Sequence, residues 1–188
     1  MTVKKRQEFV GGVKRPFNNM KVNNYDKIEK VVVNSGIGRQ SQDANFESKI
    51  LAEIISEFGQ IVGQKPAPRP ATKSLASFKL RAGTTVGLKA TLRGARKNQF
   101  LSKVLNIVFP RVRDFRGIDE KGVDASGNLS FGFKEQLVFP EIVPENSKVS
   151  FGLQVTIVPK RIKDRAEAIE IYRALGVPFK KLVVSKNS

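Results

Sequence analysis

Prolines occupy every second position of GQKPAPRPATK, at 66, 68 and 70. Each lacks a backbone N–H and holds φ near −65°, which forbids a helix and an interior strand. An extended segment at a sheet edge is still allowed. Any sheet that includes these residues therefore has its border here. The flanking patterns say what adjoins that border. Upstream, from Asp43 to Val62, apolar residues recur as Phe46, Ile50, Ile54, Phe58 and Ile61, a helical period with a wide apolar face. Asp43 and Glu47 lie in its first turn, where the helix dipole favours acids, and Gly63 suits its C-cap. Downstream, VGLKATLRG alternates: Val86, Leu88, Ala90 and Leu92 on one side, Lys89, Thr91 and Arg93 on the other. Period two marks a half-buried strand.

The same signals place the other elements. IEKVVVN, Ile28 to Asn34, is short and β-branched, as a buried strand is. SGIGR ends it in a turn. Phe100, Leu101, Val104, Leu105 and Val108 predict a second helix, stopped by Pro110. RVRDFRG reads as a basic loop with an exposed Phe. SFGFKEQLVF and KVSFGLQVTIV predict two strands, the second alternating through Val149, Phe151, Leu153, Val155 and Ile157. RIKDRAEAIEIYRALG predicts a third helix, with Asp164 and Glu167 at capping-box spacing and Gly176 closing it. Strands and helices are interspersed, with hairpin-like neighbours near the C-terminus. The expected class is α+β, one domain, with an antiparallel or mixed sheet and helices packed on one face. The expected organisation is an N-terminal arm over 1–24, the domain over 25–180 and a tail over 181–188. The second face of the sheet is then left open to a ligand.

Charge suggests which ligand. The chain carries 34 Lys and Arg against 17 Asp and Glu, a net charge of +17. Residues 58–113 hold twelve of the cations and no acid. An excess gathered into one region points to a polyanion, and nucleic acid is the commonest. Lys65, Arg69, Lys73, Lys79, Arg81, Lys89, Arg93, Arg96 and Lys97 form the phosphate-neutralising set. If about six of them meet phosphates, log K falls with log salt at a slope of roughly −4 to −5. Phe78 lies in this block as either a core anchor or a stacking platform. Asn34 is a turn former, or an amide that reads a base edge or a 2′-hydroxyl. No recognition helix, zipper or finger is visible, so structured RNA fits better than major-groove DNA.

Other chemistry finds little support. With no Cys and no His, disulfides, thiolate zinc sites, Cys nucleophiles and imidazole bases are all excluded. No cofactor is implied. SGIGR supplies only G-x-G, without the third glycine or the acid of a dinucleotide fold. The acids around Glu135, Glu141 and Glu145, and around Asp119, Glu120 and Asp124, read as solvated carboxylates. MTVKKRQEFVGGVKRPF is charged without an apolar run, so neither a secretory leader nor a membrane role is expected.

GQKP, KATLRG, PRVRDFRG at 110–117, FKEQLVFPEI at 133–142 and the closing GVPF at 176–179 occur in an order and spacing that resemble one family. It is the bacterial large-subunit ribosomal protein five family, also called L-five or uL-five. The resemblance runs from about Tyr25 to Lys180. It implies a non-enzymatic protein of the cytoplasmic ribosome, rather than an organellar one, that binds 5S rRNA. It implies a link to 23S rRNA in the central protuberance, beside other ribosomal proteins there. By resemblance, Asn34, Gln64, Phe78 and Thr91 match the family's RNA-recognition set. The loop of about Lys73 to Val86, with Lys73, Lys79 and Arg81, matches one that reaches toward peptidyl-site tRNA. The RVRDFRG region (Arg111, Arg113, Arg116) and the hairpin near 131–150 match surfaces that bridge to a head protein of the small subunit or touch 23S rRNA. The chain departs from the pattern at Arg39, where an acid is usual, and at Ser77, where a glycine is usual. A general basic nucleic-acid chaperone or architectural protein is the rival reading, and an RNA-acting enzyme a third.

Overall fold

In the computed structural model, described over residues 25–42, 46–78, 80–145, 147–162 and 164–180, strand β1 (Ile28–Gly36) is the centre of a five-stranded sheet. Helix α1 (Leu51–Val62) follows, entered through a wider π-helical turn at Phe46–Ile50. Strand β2 (Ala67–Pro70) holds the three-proline segment, β3 is Thr85–Leu92 and helix α2 is Gly94–Lys103. Strands β4 (Leu129–Phe133) and β5 (Leu153–Pro159) and helix α3 (Arg165–Leu175) complete the fold. The sheet order is β2-β3-β1-β5-β4, with every pairing antiparallel. β2 lies at the edge, where its missing N–H groups leave no interior ladder broken.

One face of the sheet meets the helices. Val31 and Val33 of β1, Leu88, Ala90 and Leu92 of β3, and Val155 and Ile157 of β5 pack with Ile54, Phe58 and Ile61 of α1 and Phe100 and Leu101 of α2. Ala168, Ile171, Tyr172 and Leu175 of α3 join the same cluster. Tyr172 donates its hydroxyl to the carbonyls of Gly127 (2.7 Å) and Ile157 (3.0 Å), fastening α3 to the sheet. Gly63 and Gly176 end α1 and α3 in the left-handed conformation, at φ 71° and 88°.

Several expectations need correction. Pro110 does not stop the second helix. The chain widens into a π-helical turn at Val104–Val108 and continues as helix through Phe109–Arg111. Phe109 N–H then bonds Val104, five residues back, which relieves the crowding a proline imposes on the preceding turn. The fourth strand ends at Phe133, and Gln136–Val138 turns into a short 3₁₀ segment. The fifth begins at Leu153, although its alternation starts at Val149. The buried Gln136 amide explains both. It accepts from Phe151 N–H (3.0 Å) and donates to the Val149 carbonyl (2.7 Å), standing in for a ladder partner. Asp164 occupies the N-cap of α3, but its side chain makes no cap bond. The N-terminal arm, Asp43 and the tail over 181–188 lie outside the described residues.

Candidate nucleic-acid interface

Period two sends alternate side chains of β1 to opposite faces, so Val32 and Asn34 point away from the helices. Register then fixes their neighbours. Asn34 stands opposite Lys89 on β3 and Gln154 on β5. Val32 stands opposite Thr91 and Thr156. Directly opposed residues have Cβ atoms about 4.5–5.5 Å apart. Lys89, Asn34 and Gln154 therefore form one row across three strands. Thr91, Val32, Thr156 and Ser130 form the next, closed by a 3.0 Å hydrogen bond between the Ser130 and Thr156 hydroxyls. These rows contain amides, hydroxyls and an ammonium group, and no carboxylate. Asn34 is thus a strand residue, not a turn former. Gln154, Thr156 and Ser130 were not singled out from sequence, although the alternation through Leu153, Val155 and Ile157 already places Gln154 and Thr156 on the outer side.

Of the remaining predicted residues, Arg69 and Arg93 border this face, and Gln64 and Arg96 lie at the ends of the helices. Arg69 projects from the edge strand opposite Gly87, and Lys65 is exposed just before it. Arg93 occupies the N-cap of α2, and Arg96 is exposed in its first turn. Arg96 Nη1 donates to Gln64 Oε1 at 3.3 Å, joining the end of α1 to the start of α2.

The predicted loop is an ordered arm. Ala71 N–H bonds the Thr84 carbonyl (2.8 Å), Gly83 N–H the Ala71 carbonyl (2.9 Å), and Leu75 and Leu80 exchange both backbone bonds. Gly83 takes φ 89°, as a turn there requires. Lys73 and Arg81 are exposed on the arm, and Lys79 lies outside the described residues. Phe78 is 64% exposed, so it is no core anchor.

Two cations of the acid-free block turn inward. Lys97 is only 4% exposed, and its ammonium donates to the carbonyls of Tyr25 (2.8 Å) and Ile28 (2.5 Å). It is therefore a structural cation, in correction of its place among the phosphate-neutralising set. Burial holds its pKa below the usual lysine value, and the nearby Lys160 charge adds to that. Lys103 donates to the Ile61 carbonyl (2.6 Å) and to Glu141 Oε1 (2.5 Å). Glu141 is thus paired, not merely solvated. Glu120 pairs with Arg173, and Asp124 accepts from the backbone and side chain of Asn128, which lowers its pKa.

Arg111, Arg113 and Arg116 are exposed around the RVRDFRG loop. Phe115, expected to be exposed, is half-buried and stacks on Phe109 with ring centroids 4.8 Å apart. The end of the domain docks on this loop: Ile118 N–H bonds the Pro178 carbonyl (2.7 Å), and Lys180 N–H the Ile118 carbonyl (2.9 Å). Gly117, at φ 97°, makes that approach possible, because a Cβ there would lie 2.8 Å from Lys180 N.

Comparison with known proteins decides the family. Residues 22–81 match the family model described as ribosomal protein L5, and residues 85–179 match the model of the C-terminus of the same ribosomal family. The chain belongs to the ribosomal protein L5 family. It is 45% identical over 178 residues to the large ribosomal subunit protein uL5 of Pseudothermotoga lettingae, covering 95% of this chain and 94% of that one. It is 42% identical over 175 residues to the uL5 of Thermotoga maritima, covering 93% and 92%. It is 47% identical over 155 residues to that of Limosilactobacillus fermentum, covering 82% and 83%. A member of this family is a ribosomal protein and not an enzyme. The two models divide the chain inside the 71–84 arm, between the two strands it joins. The uL5 family thus spans both the central rows and the basic border described above.

Proposed function

We propose that the chain is a structural component of the large ribosomal subunit that binds 5S rRNA through the open face of its sheet. The observation that carries this reading is the row Lys89–Asn34–Gln154 beside Thr91, with Arg69 on the edge strand and Arg93 directly after β3 at its border. Cations at the rim hold the phosphate backbone, and amides and hydroxyls at the centre read base edges and 2′-hydroxyls. Family membership supports it, because the relatives are named as large-subunit proteins. Arg111, Arg113 and Arg116 lie away from the paired strands on the RVRDFRG loop, where they can serve 23S rRNA or a head protein of the small subunit. Lys73, Lys79 and Arg81 suit the arm for peptidyl-site tRNA.

A nucleotide-resolution footprint on 5S rRNA tests the assignment. The full chain should protect one continuous patch, and a chain shortened across 73–84 should keep most of it. Protection scattered evenly over 5S rRNA would instead favour a general basic chaperone.

A further inference from the structure

One row of the open face joins hydroxyl side chains to a single apolar one. Thr91 of β3 stands opposite Val32 of β1, Val32 opposite Thr156 of β5, and Thr156 opposite Ser130 of β4. Each of these residues is half-buried, so each keeps part of its side chain open to the outer face. With neighbouring strands about 4.8 Å apart, the row crosses about 14 Å of sheet. Its far end is fixed by the 3.0 Å bond between Ser130 Oγ and Thr156 Oγ1. A hydroxyl carries one hydrogen and two lone pairs. The pair spends one hydrogen and one lone pair on itself. One hydrogen and the remaining lone pairs are left, and no other side-chain hydrogen bond among the described residues takes them. The adjoining row supplies a cation, Lys89, and no carboxylate.

We propose that the Ser130–Thr156 pair reads a ribose 2′-hydroxyl, so that this half of the sheet distinguishes RNA from DNA. This rests on the RNA-binding reading above and deepens it. A 2′-hydroxyl both donates and accepts, and deoxyribose lacks it. The pair offers a matching donor and acceptors side by side, and the bond between the two hydroxyls restricts their rotation before any ligand arrives. Val32, next in the row, gives the C–H edge of a sugar an apolar rest. A row of short side chains suits the wide, shallow minor groove of an RNA helix, where 2′-hydroxyls lie at the surface. The pair is uncharged, so it adds nothing to phosphate neutralisation and leaves the salt slope of binding unchanged.

Opposed hydroxyls also steady a sheet, so the test must read something that stability does not move. The probe is a pool of 5S rRNA molecules, each with single 2′-deoxy substitutions at random, tagged so that their positions can be read after selection by the full chain at about 0.2 M salt. The parent should show discrete positions at which loss of the 2′-hydroxyl weakens binding. Thr156→Val keeps the branched shape and removes the hydroxyl. It should weaken binding of unmodified 5S rRNA about fivefold and erase the interference at one or a few of those positions, leaving the others in place. Ser130→Ala should erase the same positions, and Thr156→Ser should retain them. A weaker Thr156→Val chain that keeps the parent's whole interference pattern would overturn the assignment, and so would erasure at every position alike. The larger reading fails separately: a parent chain with no preference for 5S rRNA over a structured RNA of equal size loses the 5S assignment. Interference in that second RNA, erased by Thr156→Val, would still uphold the hydroxyl pair.

Discussion

Lys97 and Ile28 are joined by a 2.5 Å hydrogen bond from the ammonium to the backbone carbonyl, at the point where β1 begins. With the second bond to Tyr25, this makes a cation of the acid-free block part of the interior. Lys97→Met keeps an apolar stem and leaves two buried carbonyls without a donor. The expected cost is about 1–3 kcal/mol of stability, read by chemical denaturation. The salt slope of RNA binding should match the parent's. A flattened slope with unchanged stability would return Lys97 to the RNA surface.

Tyr172 sets an alkaline limit. Its phenol is buried and donates to two carbonyls, so burial raises its pKa above the ordinary value of about 10. The folded state therefore favours the protonated phenol. That stabilisation is complete below pH about 10 and is lost as pH rises toward the folded value. Tyr172→Phe should cost about 1–3 kcal/mol at pH 7 and show a shrinking deficit above pH about 10, measured by urea denaturation. A deficit constant across that range would refute the linkage.

Gly117 tests the docking of the domain's end. Gly117→Ala forces a Cβ to 2.8 Å from Lys180 N at a φ of 97°. Strain of about 1–2 kcal/mol is expected from the backbone alone. The amide of Lys180, bonded to the Ile118 carbonyl, should exchange with solvent faster than in the parent. Unchanged exchange would show that the loop absorbs the methyl group without losing the contact.

Much of this fold could be read from residue pattern. Prolines 66, 68 and 70 placed the sheet border, and period two in VGLKATLRG separated Leu88, Ala90 and Leu92 from Lys89 and Thr91. The errors have specific physical origins. Charge counting treated Lys97 as surface, yet it lies three and four residues before Phe100 and Leu101, on their helical stripe. Helical spacing was the available signal, and it outweighed charge. The Val149–Phe151 alternation looked like strand because a side-chain amide, Gln136, supplies the bonds a neighbouring strand would give. No local pattern reveals a partner of that kind. Phe115 was misjudged because its cover, Phe109, was not counted among the apolar positions of the second helix.

For the sheet face, the sequence named Asn34, Lys89 and Thr91, and pairing register added Gln154 and Thr156. Gln154→Ala should therefore lower 5S rRNA affinity by about 0.5–1.5 kcal/mol, one neutral hydrogen bond, with no change in salt slope. A filter-binding titration at several salt concentrations separates the two effects. A loss of slope would make Gln154 part of the electrostatic border instead.

The most direct test of the central claim is a competition between 5S rRNA and a structured RNA of equal size, at about 0.2 M salt, where non-specific phosphate contacts are weakened. The intact sheet face should prefer 5S rRNA. Asn34→Ala or Thr91→Val should lose about 1–2 kcal/mol of that preference while retaining non-specific affinity. Equal affinity of the parent chain for both RNAs would contradict recognition of 5S rRNA by this face.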